Sequence, residues 1–119
     1  MKRILFVCSQ NKLRSPTAEQ TFCEAPGFEV LSAGTNNSAT VPLSVDLIEW
    51  ADQIFVMEKA HKNKVQKKFR PHLKGKRVIS LEIPDDFEFM DPDLISLLKK
   101  LLGRFFGVDG APGGTFSQP

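Results

Sequence analysis

The chain has 119 residues and a formal net charge of +2, with 41% hydrophobic and 25% charged residues. This length allows one domain with a single core, and no apolar run approaches the length of a membrane span. Two cysteines are too few for a disulfide framework. The amino-terminal residues also lack the apolar stretch and cleavage site of a signal peptide. We therefore expect a cytoplasmic protein whose thiols are reduced and which does not bind membranes.

The first predicted elements are a buried strand, a short polar loop and the start of a helix. They are formed by Ile4, Leu5, Phe6, Val7, Cys8, Ser9, Gln10, Asn11, Lys12, Leu13, Arg14, Ser15 and Pro16. The continuous apolar run is typical of a strand covered on both faces, and Ser-Pro predicts that the helix opens with Ser15 as its cap. Cys8 then lies where strand meets helix, where unpaired backbone N–H groups attract anions.

A cysteine followed six positions later by an arginine has a chemical meaning in this setting. The N–H groups of the loop and the Arg14 guanidinium can hold three phosphate oxygens while the Cys8 sulfur lies beneath the phosphorus. The same positive field favours the thiolate. The predicted phosphate-binding residues are Ser9, Gln10, Asn11, Lys12, Leu13 and Arg14. The spacing alone is a weak signal, and the buried strand and helix start around it make it a strong one.

Hydrophobic periodicity and turn residues predict the other elements. In the first half these are a helix over 15–25, a strand at 28–31 ending in a small-residue turn at 32–35, a loop at 36–42, a helix over 43–50 and a strand at 52–57. In the second half they are a basic helix over 61–69 that stops near Arg70-Pro71, a strand at 76–81, an acidic loop at 82–90 and a helix that opens with Asp91-Pro92 and extends to 106.

Strands that alternate with helices predict an α/β fold with a four-stranded parallel sheet, flanked by helices on both faces in three α/β/α layers. The site should lie at the carboxyl ends of the strands, at a topological switch point. The acidic loop leaves the sheet at the same edge, so we expect its carboxylates near Cys8. The predicted domain covers residues 1–106, and the Gly/Pro-rich residues 107–119 are expected to form a flexible tail.

Three further features admit two interpretations each. The basic segment 59–77 is either a solvated helix face, which we favour, or a surface for an acidic protein or nucleic acid. His61 and His72 stand apart from the cysteines, so we expect surface residues rather than ligands, with no metal and no cofactor. Cys23 is expected to be a small buried residue, with a resolving partner for Cys8 as the alternative.

The chain resembles the low-molecular-weight protein tyrosine phosphatases nearly to the end of the last predicted helix. The resemblance is carried by the stretch from Val7 to Pro16, by Ser32-Ala33-Gly34-Thr35, by Phe55-Val56-Met57-Glu58 and by Glu82-Ile83-Pro84-Asp85. The chain departs from that family in the short segment between Thr35 and Leu43, in Gln10 where glycine is common, in Leu13 where many members have a second cysteine, and in having no tyrosine.

The resemblance and the chemistry of the residues imply the same mechanism. Cys8 attacks the phosphorus, Arg14 stabilises the transferred group, and Ser15 supports the sulfur in addition to capping the helix. For the general acid we choose Asp85, because Ile83-Pro84-Asp85 matches the residues before the family acid. Asp86 is the second choice. Asp91 matches the family's Asp-Pro dipeptide, but a helix start already explains it.

The predicted function is hydrolysis of phosphomonoesters, with protein phosphotyrosine or a small aryl phosphate as substrate and inorganic phosphate as product. Phe87 and Phe89 either stack on an aromatic leaving group or anchor their loop to the core. One alternative is a non-catalytic phosphate- or phosphopeptide-binding module, although binding alone needs no thiol. A second alternative, arsenate reduction, needs further cysteines, and none follows Cys23. Nucleic acid is not an expected partner.

Overall fold

The structure, a computed structural model, describes residues 1–107, in which strands and helices alternate. The elements are β1 (Lys2–Cys8), α1 (Arg14–Phe22), β2 (Phe28–Gly34), α2 (Val45–Trp50), β3 (Gln53–Val56), α3 (Lys59–Leu73), β4 (Val78–Ser80) and α4 (Pro92–Phe106). Apart from Gly107, which ends α4 with a left-handed backbone, the predicted tail lies outside the described residues. None of the helices in this part of the chain is long and apolar enough to cross a membrane.

The four strands form one parallel sheet in the order β2-β1-β3-β4, which confirms the predicted sheet. The central strand, β1, pairs with β2 from Lys2↔Phe28 to Cys8↔Gly34 and with β3 on its other side. Its apolar residues are fully buried, as expected of a strand covered on both faces. The chain passes from β1 to β2 on one side and then crosses to β3 on the other side of β1. Cys8, at the carboxyl end of β1, therefore lies at the switch point of the sheet.

Helices cover both faces of the sheet, which confirms the three-layer architecture. On one face α1 and α4 pack around stacked aromatic rings, with Phe22 and Phe106 centroids 4.2 Å apart. On the other face α2 and α3 bury Ile48 and Val65 against the sheet. Two separate apolar layers fix the sheet between them, so the loops at its carboxyl edge start from a rigid base.

The start and end of α1 differ from the prediction. The helix begins at Arg14 with Leu13 as its N-cap, which makes no side-chain capping bond, so the prediction that Ser15 caps the helix is wrong. Because Ser15 lies inside the first turn and is fully buried, its hydroxyl is available to the loop instead. The helix ends at Phe22, and Cys23, predicted to be buried, lies exposed just beyond it.

The helix α3 continues past the residue where the sequence predicted its end. Backbone angles become non-helical at Phe69 (φ −117°, ψ 16°), and the chain then resumes a helical turn through Pro71 to Leu73. Phe69 and Leu73 are both buried in the core, and this packing holds the last turn in place. The residue before a proline generally avoids helical backbone angles. Here the kink at Phe69, one residue before Arg70, accommodates that restriction.

Candidate active site

The loop between β1 and α1 is held from behind by the segment that follows β2. The carbonyl groups of Ser9 and Gln10 accept the N–H groups of Asn36 and Thr40, each at 3.0 Å. The Asn11 N–H points into the loop, where it donates to the Cys8 sulfur, and the N–H groups of Gln10, Lys12 and Leu13 donate to no acceptor in residues 1–107. Such a run of unpaired N–H groups is a concave site for an anion.

Gly34 allows this close approach between the loop and the end of β2. A Cβ atom at this position would lie 2.5 Å from the Ser9 carbonyl oxygen, 2.6 Å from the Ala39 Cβ and 3.0 Å from the Asn11 nitrogen. Two of these neighbours are backbone atoms of the loop itself. The glycine in Ser32-Ala33-Gly34-Thr35 is therefore required by packing against the loop.

The residue Cys8 is nearly buried, with 3% exposure, and its sulfur lies among hydrogen-bond donors. The Asn11 N–H donates to it at 3.2 Å, and the Ser15 hydroxyl oxygen lies 2.9 Å away. Asn11 adopts a left-handed backbone (φ 57°), which asparagine tolerates better than most residues. Its side-chain amide donates to Ser15 at 3.0 Å and to Ser32 at 2.9 Å. Because the Ser15 oxygen accepts from Asn11, its proton has two acceptors in reach, the Cys8 sulfur at 2.9 Å and the Ala33 carbonyl oxygen at 3.4 Å, and the sulfur is the nearer.

The Arg14 side chain is almost fully buried and has partners from two other loops. It donates to the Ile83 carbonyl at 2.7 Å and to the Glu58 carboxylate, and its Nε atom lies 3.7 Å from an Asp85 carboxylate oxygen. Glu58 follows β3, while Ile83 and Asp85 follow β4. Arg14 therefore connects the loops after three parallel strands, which the fold brings to one edge of the sheet.

His61 is a member of the site that sequence reasoning missed. It is 3% exposed rather than at the surface, and its Nε2 lies 2.8 Å from the Ser9 hydroxyl oxygen. Its Nδ1 accepts the Glu58 N–H at 3.1 Å, and the Glu58 carboxylate accepts a backbone N–H in return, which closes a capping box at the start of α3. Desolvation by burial, reinforced by the nearby Arg14 and Lys64 charges and opposed by Glu58 and Asp85, lowers the pKa of His61.

A signal for Glu58 and His61 was present in the sequence. They stand three positions apart at the predicted end of a buried strand, an arrangement that matches a capping box with histidine in place of glutamine. The other histidine, His72, is partly exposed and lies 3.3 Å from the Glu49 carboxylate. In residues 1–107, no three His, Cys, Asp or Glu side chains converge in a way that could hold a metal ion.

The acidic loop after β4 is fixed at several points. Ile83 is fully buried and its N–H donates to the Met57 carbonyl at 2.7 Å. At the far end the Met90 N–H donates to the Thr17 hydroxyl at 2.9 Å. Between them Phe87 packs against the core, as one of the two interpretations predicted for both phenylalanines, whereas Phe89 is exposed. Anchors on both sides leave little freedom for the residues between Ile83 and Phe87.

The three candidate acids differ in their surroundings. Asp85 is largely exposed but lies beside Arg14 at the mouth of the loop. Asp86 is exposed and forms no ion pair within the described part of the chain. Asp91 is the N-cap of α4, where its carboxylate accepts the Asp93 N–H at 2.9 Å, and Pro92 begins the helix as predicted. Of the three, Asp85 is the one in contact with Arg14.

Comparison with solved structures finds close similarity in fold at low sequence identity. The YwlE arginine phosphatase from Geobacillus stearothermophilus superposes with a TM-score of 0.74 and 25% identity, over 90% of this chain and 92% of that chain. The Escherichia coli tyrosine phosphatase Wzb, in complex with phosphate, gives 0.71 and 22%, over 89% and 96%. A low-molecular-weight protein tyrosine phosphatase from Streptococcus pyogenes gives 0.70 and 17%, over 87% and 93%.

The chain therefore has the fold of the low-molecular-weight protein tyrosine phosphatases, as the resemblance implied. The similarity lies in the structure: the chain matches no protein-family model and no curated protein. Among its structural neighbours are phosphatases that act on tyrosine and on arginine.

Proposed function

We propose that this protein is a cysteine-dependent phosphatase that hydrolyses phosphomonoesters through a phosphocysteine on Cys8. The observation that carries the proposal is the loop that follows Cys8, in which the sulfur accepts the Asn11 N–H, the N–H groups of Gln10, Lys12 and Leu13 donate to no acceptor in residues 1–107, and the buried Arg14 follows directly. A tetrahedral dianion fits this arrangement because its oxygens can each accept N–H donors while the phosphorus faces the sulfur. The fold shared with known phosphatases supports the same conclusion.

In the first step the Cys8 thiolate attacks the phosphorus in line with the leaving oxygen. The S–P bond forms as the P–O bond to the leaving group breaks, and Arg14 with the loop N–H groups stabilises the equatorial oxygens. Hydrogen bonds from the Asn11 N–H and the Ser15 hydroxyl favour the thiolate before attack. Asp85, in its acid form, donates a proton to the leaving oxygen.

In the second step water hydrolyses the phosphocysteine. The Asp85 carboxylate takes a proton from the attacking water, inorganic phosphate leaves, and the Cys8 thiolate is restored. The same hydrogen bonds from Asn11 and Ser15 now stabilise the departing sulfur. No cofactor or metal takes part in either step. Because the nucleophile must be a reduced thiol, we propose a reducing compartment, the cytoplasm, as the place of action.

For the substrate we propose phosphotyrosine in proteins. Large apolar side chains remain exposed on both loops that border the site: Leu13 at 36%, Phe89 at 50% and Met90 at 37%. The Met90 N–H is held by Thr17, which lies one helical turn after Leu13, so the two loops approach each other there. Exposed apolar groups beside a phosphate site favour an aromatic leaving group over an aliphatic one.

Turnover by the wild type and by Cys8→Ser tests the proposal. We expect the wild type to release phosphate from 4-nitrophenyl phosphate and from a phosphotyrosine peptide, and Cys8→Ser to release none while still binding phosphate. Rapid quenching with the wild type should trap phosphate bound to Cys8. Tight phosphate binding without turnover by the wild type would instead support the non-catalytic binding module. Faster turnover of a phosphoarginine peptide would contradict the tyrosine assignment alone.

Arsenate reduction stays the weaker alternative for a structural reason as well as a compositional one. Cys23 is the only other cysteine of the chain. It is exposed, and its sulfur lies 3.4 Å from the Gln20 carbonyl, a partner from its own helix. A reductase needs a second thiol to attack the oxidised product on the first. Thiol-dependent reduction of arsenate by the wild type, lost in Cys23→Ser, would revive this alternative.

A further inference from the structure

The helix α3 has an unusual distribution of charge. It carries six basic residues and no carboxylate: Lys59, Lys62, Lys64, Lys67, Lys68 and Arg70. Like charges three and four positions apart on a helix destabilise it, and solvated helix faces usually interleave both signs. A helix that retains this repulsion has a surface whose charge is better explained by a partner than by solubility.

Part of this surface lines a groove beside the sheet. The groove has a volume of about 660 Å³ and lies between α3 and β4, with Lys59, Lys62, Gln66, Lys76, Arg77 and Ser80 along its walls. Because β4 is the edge strand of the sheet, no further strand within residues 1–107 covers it. The groove is therefore open along its length and can admit an extended segment of another chain.

Most of the charge in this groove is available to a partner. The side chains of Lys59, Lys62 and Arg77 form no ion pair or hydrogen bond within residues 1–107. Lys76 is used internally, since its ammonium group donates to the Ile48 and Glu49 carbonyls at the end of α2. Glu82, the single carboxylate on the groove wall, accepts the Ser80 hydroxyl. The groove wall thus carries four cations, three of them without an internal partner, against one carboxylate.

The groove leads toward the catalytic loop, the loop between β1 and α1 that contains residues 9–13. A second hollow, of about 470 Å³, shares Lys59 and Glu82 with the groove and is otherwise lined by Glu58, Ala60, Ile83 and Pro84. Glu58 and the Ile83 carbonyl are the two acceptors that hold the Arg14 guanidinium. A polypeptide with a phosphorylated residue over Cys8 can therefore continue along the second hollow into the basic groove.

We propose that this groove binds an acidic segment of the phosphorylated protein substrate, separated from the phosphorylated residue by the stretch that crosses the second hollow. The proposal rests on the proposed phosphatase function and adds the class of substrate, a phosphoprotein with an Asp- or Glu-rich segment a few residues from its phosphorylated residue. Complementary charge of this kind contributes chiefly to selectivity and to the rate of association, and salt screens it. A small aryl phosphate does not extend beyond the loop between β1 and α1, so the groove does not contribute to its binding.

The test compares three substrates: a phosphotyrosine peptide with acidic flanks, the same peptide with neutral flanks, and 4-nitrophenyl phosphate. At low salt we expect the wild-type kcat/KM to be about tenfold higher for the acidic peptide than for the neutral one. At about 1 M salt, where the Debye length is ~3 Å, the two values should converge. The double variant Lys62→Glu, Arg77→Glu should lose the preference and keep its kcat/KM for 4-nitrophenyl phosphate within about twofold.

The matched control is the double variant Lys99→Glu, Lys100→Glu, which makes the same change in net charge on α4, on the opposite face of the sheet. It should keep the preference for the acidic peptide, and thermal unfolding should show both variants folded. Equal losses in both variants would mean that net charge acts, not the groove, and would overturn the proposal. So would RNA binding that depends on Lys62 and Arg77 without any peptide preference. Failure of the wild type to hydrolyse 4-nitrophenyl phosphate would overturn the phosphatase function itself.

Discussion

The imidazole Nε2 of His61 lies 2.8 Å from the hydroxyl oxygen of Ser9, although 52 positions separate the two residues in the sequence. Because the other ring nitrogen accepts the Glu58 N–H, the neutral ring carries its proton on Nε2 and donates it to Ser9. Glu58 in turn accepts from Arg14. One neutral imidazole therefore positions both Ser9, the first residue of the loop between β1 and α1, and Glu58, which accepts a hydrogen bond from Arg14.

Acid should weaken the fold through His61. The unfolded chain protonates this histidine near pH 6.5, whereas burial lowers its pKa in the folded protein. Between these two pKa values the unfolded state binds more protons, so the free energy of unfolding decreases as the pH falls below 6.5. Urea unfolding at about pH 7.5 and about pH 5.5 measures this loss. In His61→Gln the His61 contribution to the loss should disappear, while the partly exposed His72→Gln should retain it. A loss equal to that of the wild type in His61→Gln would refute the assignment.

His61→Ala should also reduce activity. It removes the partner of the partly buried Glu58 N–H group, so we expect the free energy of unfolding to fall by about 1 kcal/mol. Since Ser9 and Glu58 lose their alignment, kcat/KM for 4-nitrophenyl phosphate should fall about tenfold. His61→Asn, whose amide oxygen can still accept the Glu58 N–H, should recover part of both. No recovery of stability by asparagine would argue against the capping interaction.

The general acid can be assigned from the dependence of the rate on the leaving group. We expect Asp85→Asn to slow hydrolysis by about 10²–10⁴-fold for alkyl and phenyl phosphates with poor leaving groups, and much less for 4-nitrophenyl phosphate. Asp86→Asn is the matched control and should change neither rate. If Asp86→Asn or Asp91→Asn shows the leaving-group effect and Asp85→Asn does not, Asp85 is not the acid.

Asp91 has a different expected effect. As the N-cap of α4 it satisfies the Asp93 N–H, so Asp91→Ala should lower the free energy of unfolding by about 0.5–2 kcal/mol. Asparagine is an equally good cap, and Asp91→Asn should therefore leave stability nearly unchanged. Urea unfolding of both variants measures this. Full stability in Asp91→Ala would show that the capping bond contributes nothing.

Asn11 combines a backbone and a side-chain requirement that two variants can separate. Asn11→Gly keeps the left-handed backbone but removes the amide that donates to Ser15 and Ser32. Asn11→Ala removes the amide and adds a backbone penalty of about 1–2 kcal/mol. We expect phosphate affinity and thermal stability to decrease in the order wild type, glycine, alanine. Equal values for the glycine and alanine variants would indicate that the left-handed backbone at position 11 affects neither phosphate affinity nor thermal stability.

Gly34→Ala should inactivate the protein more than it unfolds it. The new methyl group must displace the Ser9 carbonyl or the Asn11 nitrogen, both parts of the catalytic loop, and a displacement of ~1 Å there costs about 10²-fold in rate. Gly27→Ala is the matched control: Gly27 has a positive φ of 84° but nothing within 4 Å of a Cβ. Gly27→Ala should lower the stability of the protein and leave its activity unchanged. Equal activity in the two variants would show that the loop tolerates the displacement.

Local sequence determined the parts of this protein that depend on short segments. The apolar run before Cys8 predicted a strand buried on both faces, alternation predicted the parallel sheet, and Asp91-Pro92 predicted the start of α4. The sequence also predicted carboxylates of the acidic loop near Cys8, because parallel strands end at one edge of the sheet, and Asp85 lies 3.7 Å from Arg14 of the loop that follows Cys8.

Tertiary structure alone decided the contacts between distant segments. Ser15 was predicted both to cap its helix and to support the sulfur, and the bend of the loop, which turns its hydroxyl to Cys8, leaves only the second role. His61 was predicted at the surface, and its burial depends on β3 lying next to β1, which brings the start of α3 beside Ser9. Periodicity records which face of an element is buried, but not which neighbour buries it.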